Sequence, residues 1–166
     1  MLQQTYERKR VLLSTTQPHP TPKFTSLEHE VYLGLQRLAL TLSYDVAELF
    51  RAHGLSAPQF NILRILRGAE ADGDRSGLAC SEIGDRLLAH APDLTRLLDR
   101  MAVQGLIVRE RGSGDRRVVK TRITDKGLSL LADLDAPLAN LHLRQLGHLG
   151  SERLEALKAL LGAAQP

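Results

Sequence analysis

The sequence predicts a mainly α-helical protein with a small antiparallel β wing, and three observations predict it. Leucine recurs at helical spacing through much of the 166 residues, while aromatic residues make up 4% and tryptophan is absent. The stretch Ala91–Gly127 breaks that pattern with two short β-prone runs around a tip rich in glycine and arginine. Charge gathers on the same stretch. Pro92–Lys126 holds nine basic and five acidic residues, a net +4, whereas the whole chain carries +3 and the remainder therefore sums to −1. A helical frame with basic charge concentrated in one place suits a polyanionic partner.

The elements follow in order. Residues 1–25 read as an arm, basic through Arg8, Lys9, Arg10 and Lys23 and extended by prolines at 18, 20 and 22. Its role stays open between a phosphate-contacting arm, a dimer brace and a solvated tail. Residues 26–53 predict a long helix, because Leu27, Val31, Leu35, Leu38, Leu42, Val46 and Leu49 recur at steps of three and four. Leu33, Leu40, Ala47 and Phe50 add a second stripe, so this helix is expected to pack against more than one partner. Gly54 stops it. Ser56 and Gln59 form a capping box that opens a second helix, expected to end at Gly68. A polar loop over 69–77 leads to a short strand at 78–80. Ser81 is expected to cap a short helix over 82–88, and a turn at His90-Ala91 precedes a helix from Pro92 to Gln104.

That helix turns Leu94, Leu97, Leu98 and Met101 inward and leaves Asp93, Thr95, Arg96, Asp99 and Arg100 toward solvent. A short helix, a tight turn and a second helix with an outward polar face is the helix-turn-helix pattern. Strands over 106–111 and 118–124 then flank the tip Gly112-Ser113-Gly114-Asp115-Arg116-Arg117. Together they predict a winged helix-turn-helix reader over about 55–124. Thr124 caps a helix over 125–148 that Pro137 should kink or interrupt, and Ser151 caps a last helix. The leucine seams of helices 26–53 and 125–164 are hard to bury in a small monomer. An intertwined two-fold dimer would bury them and space two readers along a duplex.

The residues Leu94-Thr95-Arg96-Leu97-Leu98-Asp99-Arg100-Met101, Gly105-Leu106-Ile107, Asp115-Arg116-Arg117 and Ile123-Thr124-Asp125-Lys126-Gly127 resemble the MarR family of winged-helix regulators. Asp115, Arg117, Ile123, Thr124 and Gly127 fit the family's wing pattern without a gap, with isoleucine in place of leucine. The resemblance covers residues 26 to the C-terminus. It implies a homodimer with interlocked terminal helices. The helix after Pro92 would enter the major groove of double-stranded DNA, and the wing would reach the adjacent minor groove. It also implies repression released by a small phenolic or other anionic effector bound between the dimer helices and the reader.

Residue types assign the roles. Arg96 and Thr95 are candidates for base contacts, since an arginine early in such a helix pairs bidentately with guanine; the bland reading of Arg96 is a solvated surface charge paired with Asp93, Asp99 or the neighbourhood of Arg100. Arg100, Arg116 and Lys120 are candidate phosphate contacts, and Ser81 a candidate donor to phosphate or merely an N-cap. Arg117, oriented by Asp115, is the candidate for the minor groove. Tyr32, His53, Phe60 and Arg64 are effector-pocket candidates from helix position alone, and packing explains them equally well. Cys80, the single cysteine, reads as an inert buried thiol and excludes an intrachain disulfide.

Several classes are disfavoured. The sequence has no nucleophile elbow, no phosphate-cradling glycine loop and no metal-ligand spacing among its six histidines, so no enzyme, cofactor or metal is expected. No apolar run approaches the span of a bilayer, and Arg8-Lys9-Arg10 is followed by only three apolar residues, so a cytoplasmic location is expected. The rival reading is a winged-helix protein–protein interaction module without specific DNA binding, since fold does not fix function.

Overall fold

The computed structural model describes residues 26–74, 76–87, 93–111 and 119–165. The chain divides into two compact units, 1–39 and 40–166, with the division inside the first helix. In chain order the elements are α1 (Leu27–Ala52), α2 (Ala57–Ala71), β1 (Leu78–Ala79), α3 (Cys80–Arg86), α4 (Leu94–Val103), β2 (Ile107–Arg111), β3 (Val119–Ile123), α5 (Asp125–Leu146), a 3₁₀ turn (Gly147–Leu149) and α6 (Gly150–Ala163). The fold class is the expected one. The arm, residues 1–25, and the wing tip lie outside the described residues.

In the first unit, the described part of α1 leaves Leu27, Val31, Tyr32, Leu35 and Leu38 exposed. The second unit holds the core. Ile62, Leu63, Ile83, Leu98, Met101, Leu131 and Leu134 are fully buried, so α2, α3, α4 and α5 all contribute to one apolar cluster. The three-stranded sheet has the order β1-β3-β2 and is antiparallel throughout. Leu78 faces Thr121 across β1–β3, and Ile107 to Arg111 face Ile123 to Val119 across β2–β3. Side chains alternate along β3: Thr121 and Ile123 are buried, whereas Arg122 between them is exposed.

Several expectations need correction. α2 does not stop at Gly68 but runs to Ala71. Ala69 is buried on the core, which favours continuing the helix, and Gly73 (φ +91°) supplies the left-handed turn that ends it. Cys80 is the first residue of α3 rather than the end of a strand, and Ser81 lies inside that helix instead of capping it. The cap is made in reverse: the Ala79 amide donates to Glu82 Oε2 at 2.6 Å. Pro137 does not interrupt α5, which is assigned as one helix on both sides of it. The last helix begins at Gly150 without a side-chain cap, so Ser151 is not its N-cap.

Two predicted caps are present. Ser56 and Gln59 form the full capping box, and the Thr124 hydroxyl accepts from the Gly127 amide at 3.1 Å. Gly127 itself is required by close approach. A Cβ there would lie 2.4 Å from the Leu106 carbonyl oxygen and 2.8 Å from Ile123 Cγ1.

Candidate nucleic-acid interface

The helix-turn-helix is α3 followed by α4. Ile83 of α3 and Leu98 and Met101 of α4 are wholly buried, with Leu94 and Leu97 packed beside them. That apolar stripe turns the opposite face of α4 outward, so Thr95, Arg96, Asp99 and Arg100 are exposed, together with Asp93 just before the helix. Arg96 Nη1 lies 4.0 Å from Asp93 Oδ2, and both side chains are largely exposed. Such a pair holds weakly in water and leaves the guanidinium available. Both readings of Arg96 thus meet at one place. The Pro92 start of the helix lies outside the described residues.

The C-terminal end of α4 is fixed by two other elements. Gln59 Nε2 of α2 donates to Gln104 Oε1 at 3.1 Å. Lys126 Nζ of α5 donates to the Gln104 carbonyl at 2.7 Å, and the Thr124 hydroxyl donates to the Gly105 carbonyl at 2.7 Å. The last carbonyls of a helix lack internal partners, and here cationic and hydroxyl donors from the neighbouring helix satisfy them.

Ion pairs organise the hairpin. Arg109 of β2 pairs with Asp99 of α4. Lys120 of β3 lies 2.9 Å from Glu82 of α3, and Arg122 lies 2.9 Å from Glu110 across the strands. Lys120, expected as a phosphate contact, is a cation already partnered by Glu82. The Ala79 amide, and after it Lys120, hold the Glu82 carboxyl below its ordinary value. The Asp74 carboxyl is lowered too, first by the Ser76 hydroxyl.

The remaining candidates fall as follows. Ser81 is exposed on α3. Asp115, Arg116 and Arg117 lie outside the described residues. Cys80 is half-buried rather than buried, with Sγ 3.7 Å from Thr95 Oγ1, so the inert-core reading of this thiol is too strong. Phe60 is committed to the core, its ring stacked on Phe50 at 4.2 Å. His53 Nδ1 sits 2.9 Å from the Leu49 carbonyl at the end of α1. Arg64 is exposed, and Tyr32 is exposed in the first unit. A shallow cleft of about 180 Å³ lies elsewhere, between the end of α2 and the sheet, lined by Leu66, Glu70, Asp74, Leu78 and Thr121 among others. None of His53, Phe60 and Arg64 lines it. Among the described residues no cluster of histidine, cysteine, aspartate or glutamate could hold a metal ion, and no helix is long and apolar enough to cross a membrane.

Sequence reasoning missed Asp99, Arg109 and Glu82 as structural partners. A signal existed for Arg109. It shares a strand face with Ile107, and a charge at an inward position calls for a counter-charge within reach.

An outward polar recognition helix beside a β hairpin, both built on one helical core, defines the class of winged helix-turn-helix regulators. The model of the MarR family matches residues 53–118. A MarR transcription factor from Planctomyces limnophilus, known as a crystal structure, is 43% identical, with 86% of this chain and all of that chain covered and a TM-score of 0.63. The HTH-type transcriptional regulator PecS of Dickeya dadantii is 30% identical over 131 residues, covering 79% of this chain and 77% of PecS. The HTH-type transcriptional regulator TtmR of Methylorubrum extorquens is 30% identical over 128 residues, 77% of this chain but only 60% of its own length. The chain belongs to the MarR family.

Proposed function

We propose that the protein is a homodimeric, sequence-specific DNA-binding transcriptional repressor that reads a palindromic operator and is released by a small phenolic or other anionic effector. The observation that carries the DNA reading is the outward face of α4, where Thr95, Arg96 and Arg100 stand exposed on a helix whose other face is buried. Bases are specified by such side chains, and the basic excess of Pro92–Lys126 supplies sequence-independent attraction to phosphate. Arg117 with Asp115 would serve the minor groove and Arg116 the phosphates, on the sequence pattern of the wing.

Dimerisation is supported by large apolar side chains left in water. In the first unit these are Leu27, Val31, Tyr32, Leu35 and Leu38; in the second they include Leu40, Tyr44, Leu143, Leu160 and Leu161. Soluble monomers rarely leave so many exposed, and a second copy would cover them. The effector reading is supported by the fold alone: an organohalide-sensing regulator of TM-score 0.72 and 15% identity is known in a 2,4-dichlorophenol-bound form.

The test is selection from random duplexes by the purified protein. A palindrome of two half-sites about one helical turn apart is expected. Recovery of unrelated sequences, bound no more tightly than bulk DNA, would overturn the specific-DNA reading. Addition of phenolic acids to the selected complex tests the effector.

A further inference from the structure

Each strand of the hairpin is ion-paired to a different helix of the helix-turn-helix. Arg109 on β2 pairs with Asp99 on α4, and Lys120 on β3 pairs with Glu82 on α3. The two cations stand on opposite faces of the hairpin. Arg109 is opposite Thr121, whereas Lys120 is opposite Glu110, one rung along. The Arg109 side chain is 16% exposed and its buried Nε has no hydrogen-bond partner among the described residues, so its charge leans on Asp99. Glu82 is used twice, accepting from the Ala79 amide and from Lys120.

On the DNA-binding reading, acidic side chains in the helix-turn-helix are unfavourable toward phosphates by charge alone. Their presence makes sense if they order something else. We propose that Asp99 and Glu82 are positioning residues for DNA recognition: they clamp the hairpin to α4 and to α3, so that recognition helix and wing meet the duplex as one body. Specificity then depends on two carboxylates that act through Arg109 and Lys120 rather than through the duplex. The inference rests on the DNA-binding reading above.

The sign of the effect separates this role from simple electrostatics. Asp99→Asn and Glu82→Gln each raise the net charge by one, which by charge alone tightens binding to any duplex. The clamp predicts the opposite for the selected operator. The full-length protein and each variant are titrated against the selected duplex and against a scrambled duplex of equal length. For each variant the ratio of specific to non-specific affinity is expected to fall by about tenfold, with scrambled-DNA binding unchanged or tighter. A merely destabilised fold would weaken both duplexes together and leave the ratio in place. Glu82→Gln is the safeguard should Asp99→Asn fail to fold, because the cation it leaves unpaired, Lys120, is more exposed than Arg109. Exchange of charges in Asp99→Arg with Arg109→Asp is expected to restore part of the ratio. Ratios equal to that of the unaltered protein would overturn the clamp while leaving the DNA reading intact. If the unaltered protein selects no operator, both readings fall together.

Discussion

Single residues carry the sharpest expectations. Arg96 is exposed on α4 and only loosely held by Asp93. Arg96→Ala is expected to cost about 1–3 kcal/mol of specific binding, read as a shift in operator Kd, with thermal stability unchanged. Leu98 is the opposite case, fully buried under the same helix. Leu98→Ala is expected to destabilise the fold by about 2–5 kcal/mol in urea titration. Thr121 presents a subtler test. Its Oγ1 is buried without a partner among the described residues. Replacing an unsatisfied hydroxyl with a methyl group removes a desolvation cost, so Thr121→Val is expected to match or exceed the parent's stability by up to about 2 kcal/mol. A marked loss would show that the hydroxyl is satisfied.

At the scale of elements, the pairings that fix the hairpin have a pH signature. The Glu82 carboxyl is held below its ordinary value, first by the Ala79 amide and then by Lys120. A carboxyl depressed in the folded state stabilises it only while ionised. That contribution is complete above the ordinary glutamate range and is lost as pH falls through the lowered value. Glu82→Gln should therefore be less stable than the parent at pH 7, by under about 1 kcal/mol because the pair is partly exposed. The gap should narrow as pH falls from neutrality through the ordinary glutamate range and on through the lowered value; urea midpoints across an acid series measure it.

Elements also show what the sequence discloses. The capping box at Ser56 and the Thr124 cap were legible because side chain and target lie three residues apart. The hairpin was legible from two short β-prone runs around a glycine-rich tip. The Asp99–Arg109 pair spans different elements, and no local pattern encodes which helix face meets which strand. The end of α2 was misread because a glycine inside a helix is costly but affordable when the next residue, Ala69, is buried. Ser81 was misread because Glu82 reaches back to the Ala79 amide, which sets the N-cap two residues before the serine.

For the whole molecule, the apolar residues left in solvent call for a second copy. Charge introduced there, as in Leu160→Glu with Leu161→Glu, is expected to shift sedimentation from dimer toward monomer. Operator affinity should fall with it, because two linked half-site contacts become independent. An unchanged dimer would place the interface elsewhere. The outward residues of α4 were legible at this scale because an amphipathic helix must hide one side and show the other.

The tail end of α4 has a wider consequence. Gln59 reaches it from one neighbour, and Thr124 and Lys126 reach it from another. These residues tie the end of α4 to two neighbouring elements without sharing its outward face, so changes in them should alter how firmly the helix is held and not which side chains it presents. A genetic screen for altered repression strength is therefore expected to return Gln59 and Lys126 variants that keep the parental operator preference.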